Sequence, residues 1–236
     1  DLGFAPDSSF PLTYAEKGLL QVKLHGPGWE DLPLQAGRAL NVVPDKATYK
    51  GQRLEELLPV IEQSGVNYTE EAGAVTVLGL SKHSKDAAEG VNAIVGLAES
   101  LSLIQPHPAL LFIADAVGQD ATGAALFGEI KDEPSGALSF NIATLFIDEE
   151  RSEIGIDIRI PVLADKDALV ERLTEVAASY QLQYEEFDYL APLYVPLDSP
   201  LVSTLMKVYQ EETGDQTPAM SSGGATFART MENCVA

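Results

Sequence analysis

Only His25, His83 and His107 supply imidazoles in this chain, and Cys234 supplies the one thiol, so candidates for proton or nucleophile chemistry near neutral pH are few. His83 has the most informative setting. In SKHSKDAAEGVNA (81–93) it stands between Lys82 and Lys85, where a strand-like run hands over to a helix-like one, a common place for functional side chains. An imidazole there can donate a hydrogen bond to a developing oxyanion or ligate a metal; equally, it can be an exposed histidine beside a helix cap. His25 and His107 lack even that context. In EIGIDIRIPVL, Ile154, Ile156, Ile158 and Ile160 alternate with Glu153, Gly155, Asp157 and Arg159, so one face of a strand is buried and the other is wet or functional. Arg159 on that stiff base suits a carboxylate clamp, or else is a surface arginine paired with Asp157 or a neighbouring acid. SSGG (221–224) can present backbone N–H groups to an anion, but it has neither the phosphate-loop lysine nor a nucleophile elbow. Asp7 in GFAPDSSFP reads first as a turn former, and Cys234 as a buried structural thiol. No H-E-x-x-H, C-x-x-C or H-x-D metal motif occurs.

The elements that must position these groups can be read from periodicity. KGLLQVKLHG (17–26) alternates as a strand, and RALNVVPDKATYKG (38–51) reads as a second strand interrupted by Pro44. QRLEELLPVIEQSG has apolar residues at helical spacing, with Gly65 as its stop. AGAVTVLGLS (72–81) is another strand. After His83, Ala88, Val91, Ile94, Val95, Ala98 and Leu101 predict one continuous helix with an apolar stripe. Residues 106–136 read as a helical connector. ALSFNIATLFID and EIGIDIRIPVL predict a strand pair across the turn DEERS, followed by a helix capped by Asp165 or Asp167 and an extended stretch, LQYEEFDYLAPLYVP. The tail reads as a helix, a Gly-rich turn and a strand.

Two successive strand-pair-plus-helix units predict an α+β fold: two similar ferredoxin-like sandwich halves with sheet on one side and helices on the other. The net charge of −21, from 15 basic against 36 acidic residues, argues against nucleic acid and anionic membrane surfaces as partners. One cysteine precludes an intrachain disulfide and points to a reducing, cytoplasmic setting. No apolar run reaches the roughly 20 residues of a membrane span. The ends, DLGFAPDSSFP without Met or a signal-peptide pattern and ENCVA directly after a strand-like stretch, are expected to be cut from a longer protein.

Taken together, GFAPDSSFPLTYAEKG, GRALNVVPDKA, KHSKDAAEGVNAI, IGIDIRIPV and SSGGATFARTMENCVA resemble PepV-type dipeptidases, within the di-zinc superfamily of aminoacylase, carnosinase and succinyl-diaminopimelate desuccinylase. The resemblance covers essentially the whole chain, in the family's motif order. It implies a lid domain over residues 18–197, with halves 18–105 and 106–197, inserted into a catalytic domain of which 1–17 and 198–236 are strips. It implies a parent that hydrolyses dipeptides with two zinc ions. By the same resemblance Asp7 is a terminal zinc-ligand carboxylate, and His83 steadies the oxyanion. Asn41 and Arg159 hold substrate, Arg159 by its C-terminal carboxylate, and the backbone N–H of Gly224 joins that clamp.

The departures from the family pattern are large. Its H-x-D motif, bridging Asp and Glu-Glu pair would all precede residue 1, its second ligating His would follow residue 236, and ETGDQ (212–216) is no substitute. Ser84-Lys85 stands where relatives often carry small residues and a Pro. The chain by itself is therefore expected to bind no zinc and to be inert, its partners being a dipeptide and the missing catalytic-domain segments. A related amidohydrolase (aminoacylase or desuccinylase) and a stand-alone binding or dimerisation module are the alternatives.

Overall fold

Alternation of Leu20, Val22 and Leu24 with Gln21, Lys23 and His25 gives a ten-residue strand whose apolar members are buried; it anchors the larger sheet. A computed structural model describes residues 2–231 and 233–236. Its principal strands are β1 (Thr13–Glu16), β2 (Gly18–Pro27), β3 (Leu34–Ala36), β4 (Lys46–Tyr49), β5 (Tyr68–Glu71), β6 (Ala74–Leu78), β7 (Ser139–Ile147), β8 (Arg151–Ile160), β9 (Gln183–Leu190), β10 (Leu193–Tyr194) and β11 (Met220–Ser222). The principal helices are α1 (Leu54–Ser64), α2 (Ala93–Leu101), α3 (Lys166–Ser179) and α4 (Pro200–Thr213).

The larger sheet runs β9-β2-β8-β7-β3, with every neighbouring pair antiparallel. In chain order its four long strands lie fourth, first, third, second. β2 therefore sits between strands that follow it by more than a hundred residues, so the consecutive stretches 18–105 and 106–197 share one sheet. A smaller antiparallel sheet, β5-β6-β4, arises inside the β2–β7 connection and packs with α1 and α2. One apolar core joins both sheets, from Leu20 and Ile156 to Tyr49, Leu57 and Ile94. The end segments make a third sheet, in which β1 pairs antiparallel with β10 and parallel with β11, over a separate core of Leu12, Tyr14, Ala15, Val162, Val195, Val202 and Val235.

Local signals account for the ends of several elements. Gly65 closes α1 in the left-handed conformation (φ 76°), and the Asp165 carboxylate caps α3 by accepting from the Asp167 and Ala168 N–H groups. Three stretches differ from the sequence reading. Of 38–51 only β4 is strand, because Gly37 (φ 78°) turns the chain into a loop through residue 45. β5 and β6 form a hairpin on Ala72 and Gly73, both at positive φ, without the usual Asn-Gly signal. The continuous helix after His83 is instead a 3₁₀ segment, Ser84–Glu89, then extended backbone at Gly90, then α2. Asn92 causes the restart: its side chain accepts from the Ile94 and Val95 N–H groups, and Val91 is left exposed. Among the described residues no helix is long and apolar enough to cross a membrane.

Candidate functional site

The polar face of β8 is not wet. Asp157 is fully buried and Arg159 is 4% exposed, because the 84–89 segment and the 222–224 loop close over this side of the sheet. The pairing with Asp157 exists, but as a buried pair and not a surface one. Arg159 Nε donates to Asp157 Oδ1 at 2.6 Å and Nη2 to Oδ2 at 3.1 Å, and Gln21 Nε2 adds a third donor to Oδ2 at 3.1 Å. Arg159 Nη1 reaches out of the sheet to the Gly223 carbonyl at 3.0 Å. Three of the five guanidinium N–H groups are thus engaged, which leaves one on each terminal nitrogen.

Asn41 and His83 lie on two loops that run alongside each other. Val42 and His83 form an isolated antiparallel bridge; Ser84 N–H donates to the Asn41 carbonyl at 2.9 Å, and Val43 N–H to the Lys82 carbonyl at 2.8 Å. Both side chains are exposed. His83 is also the cap of the 3₁₀ segment: its Nδ1 accepts from the Lys85 N–H at 3.1 Å. With Nδ1 occupied as an acceptor, the proton of the neutral ring sits on Nε2. Partial burial and, next, the Arg159 cation hold this imidazole below its ordinary pKa, against opposing pulls from Asp157 and Asp86. His83 and Arg159 are therefore electrostatic neighbours, as their separate motifs did not reveal.

Gly224 belongs to the loop that touches Arg159, although its own N–H donates to Ser222 Oγ at 3.0 Å. The adjoining Gly223 packs so closely on Lys85 that a Cβ there would lie 2.8 Å from the Lys85 Cβ. The structure thus brings the SSGG loop, Arg159 and the His83 segment together, with Asn41 beside His83. Asp7 stands apart from this group. It is exposed, its N–H turned back to the Ala5 carbonyl at 2.8 Å, and among the described residues no three His, Cys, Asp or Glu side chains converge as a metal-holding group.

Sequence reading missed four contributors. Lys17 sends its ammonium to the Ala137 carbonyl; burial lowers its pKa, while Asp132 and Asp86 pull the other way. Glu16 and Arg229 tie β1 to the Gly-rich loop. Asn141, opposite Asp157 on β7, is buried beneath the loops of Asn41 and His83. The available signal was that β7 and β8 both place polar residues (Ser139 and Asn141, Asp157 and Arg159) on one face at matched register.

No family model matches the chain. It aligns over its full length with Putative dipeptidase YtjP of Bacillus subtilis (strain 168), at 33% identity over 259 residues and 55% of that protein. Putative dipeptidases of Staphylococcus haemolyticus and Staphylococcus aureus (strain USA300) align at 25% and 29% identity, again over all of the chain and 55% of theirs. The chain spans about half the length of the curated relatives it matches. An aminoacylhistidine dipeptidase structure from Vibrio alginolyticus covers 99% of the chain and 58% of its own, at a TM-score of 0.48 and 12% identity, a likeness that decides nothing further. By the full-length alignments, the chain is a homologue of the bacterial proteins named putative dipeptidases.

Proposed function

We propose that this chain is the substrate-binding lid, with flanking strips of the catalytic domain, of a longer, cytoplasmic, zinc-dependent dipeptidase. The observation that carries this reading is the convergence of His83, Arg159 and the 223–224 loop over one face of the larger sheet. The order fourth-first-third-second in β9-β2-β8-β7 supports a ferredoxin-like unit in that lid, with the β5-β6-β4 sheet as a smaller second unit. The separate core of the end segments supports a boundary near residue 17, and the β1–β10 pairing draws the second boundary back to between β9 and β10.

In this reading His83 acts as a neutral donor. Its Nδ1 is held by Lys85, so Nε2–H is the group offered to the oxyanion that forms as the peptide carbonyl is attacked. A lowered pKa keeps the ring in that form at neutral pH and below. Arg159 takes the substrate carboxylate on its two remaining N–H groups, with Asp157 fixing the guanidinium plane. Asn41 adds a polar contact beside His83. When bound, the zinc ions of the intact protein would supply the hydrolytic water, with Asp7 as the one ligand from this chain; the remaining ligands would have to come from outside it.

Assaying the longer protein and this chain side by side tests the reading. Dipeptides should be cleaved by the longer protein with zinc and left intact by the chain alone. Preference of the longer protein for N-acyl amino acids, or robust hydrolysis by the chain alone, would overturn it.

A further inference from the structure

Asn41 and His83 sit on loops with no regular sheet of their own, yet both need fixed positions if they meet one substrate. What lies under them is a closed polar network centred on Asn141, 2% exposed near the start of β7. Its Nδ2 donates to the Val42 carbonyl at 3.0 Å and to Ser84 Oγ at 2.9 Å, with the Leu40 carbonyl at 3.4 Å. Ser84, fully buried, donates its own hydroxyl to the Leu40 carbonyl at 3.0 Å. Its carbonyl accepts from the Ser139 hydroxyl. Asn141 is itself oriented from behind. Asn92 Nδ2 donates to Asn141 Oδ1 at 3.1 Å and to the Ile142 carbonyl at 2.7 Å, while Asn92 Oδ1 caps α2.

One amide therefore grips the residues on either side of Asn41 and the residue immediately after His83. A buried amide group with all its partners made is specific in direction; losing it takes the donor from the Val42 carbonyl and leaves Leu40 only the Ser84 hydroxyl. We infer that Asn141 is a positioning residue: through Val42 and Ser84 it holds the Asn41 and His83 loops at one fixed separation over the β7–β8 polar face. The role assigned to the two loops rests on the dipeptidase reading; the mechanical claim does not.

Two measurements separate them. The first uses amide hydrogen exchange on the chain itself. In Asn141→Ala, the Ser84 and Val43 amides, which bridge the two loops, should exchange about 10- to 100-fold faster, as expected for loss of one or two buried hydrogen bonds. Ladder amides of β2 and β8 should be unchanged. Equal acceleration everywhere, or no change at Ser84 and Val43, would overturn the inference. Should Asn141→Ala fail to fold, Ser84→Ala is read the same way, since it removes the hydroxyl that links Asn141 to Leu40. The second measurement is kinetic, in the longer protein: Asn141→Ala should lower kcat roughly 10- to 100-fold, with a smaller rise in KM through the Asn41 loop. A rise in KM with kcat intact would refute its action through His83. If the unaltered longer protein cleaves no dipeptide, the functional reading fails, and the exchange result still decides the positioning role.

Discussion

Glu16 and Arg229 form a buried ion pair across almost the whole sequence: Arg229 Nε and Nη2 donate to Glu16 Oε2 at 3.1 and 2.9 Å, with the two side chains 6% and 0% exposed. Glu16 also accepts from the Thr226 N–H at 3.0 Å and from the Thr226 hydroxyl. Arg229 reaches the carbonyls of Ala191, Lys17 and Gly224 at 2.9, 3.1 and 3.1 Å. The pair thus fastens three passages of chain: the entry to β2, the exit from β9 and the loop that contacts Arg159.

Removing one partner of such a pair strands the other charge in the interior. Arg229→Met should destabilise the chain by about 3–5 kcal/mol in urea unfolding, and the double variant Glu16→Gln with Arg229→Met should recover part of that loss. A cost below about 1 kcal/mol for the single variant would mean that water reaches Glu16 despite its burial.

Arg159 offers a comparison between stability and binding. Asp157→Ala leaves the guanidinium without its carboxylate in a buried site and should cost about 3–5 kcal/mol of stability. In the longer protein, Arg159→Ala should raise KM for a dipeptide roughly 30-fold or more while changing kcat little, whereas His83→Ala should chiefly lower kcat. The reverse pattern would refute both assignments.

Parts of this arrangement were legible in the residues and parts were not, for identifiable reasons. Alternating isoleucines at 154–160 announced β8, Gly65 announced a helix stop, and Asp165 or Asp167 a helix start, of which the structure uses Asp165. Periodicity reports which face of a strand is apolar; it does not report what covers the other face. The sequence left the Arg159 face wet or functional; segments about 70 residues upstream and 64 downstream bury it, a tertiary contact that periodicity does not carry. The helix placed across Ala88 and Val91 failed locally: alanine spacing matched a stripe, but the Asn92 cap outcompeted it. The polar pair Ser139 and Asn141 on one face of β7 could be read; what Asn141 holds could not. Its partners are loop carbonyls, which every residue type supplies.

The proximity of His83 to Arg159 has a titration consequence. Burial and, next, the Arg159 cation lower the His83 pKa, with Lys85 adding to them and Asp157 and Asp86 opposing, so the ring should titrate below the ordinary value of about 6.5. Replacing Arg159 by Met removes the cation and should raise the His83 pKa toward that value in an NMR titration. An unchanged His83 titration in the folded Arg159→Met chain would show that the two groups do not interact.

His107, to which the sequence attached no role, should govern acid stability. It is fully buried; its Nδ1 accepts from the Ala109 N–H at 3.1 Å and its Nε2 donates to the Pro27 carbonyl at 3.1 Å, so the native ring is neutral. Burial pushes its pKa down, with the Pro27 carbonyl opposing. In the unfolded chain the ring titrates near its ordinary value of about 6.5. Between that value and the lower native one, the unfolded state binds more protons, so this contribution is complete above about pH 6.5 and is lost as pH falls through the native pKa. His83, shifted in the same direction, adds to the same window. Asp148, held low by the Arg151 and Glu150 amides, acts only below about pH 4. Urea midpoints should therefore fall between about pH 7 and pH 5. His107→Asn keeps a helix-capping acceptor but cannot titrate; it should lower the midpoint at pH 7 and flatten this slope without abolishing it. A native chain whose midpoint is flat over that range, or an Asn variant that keeps the full slope, would remove His107 from the account.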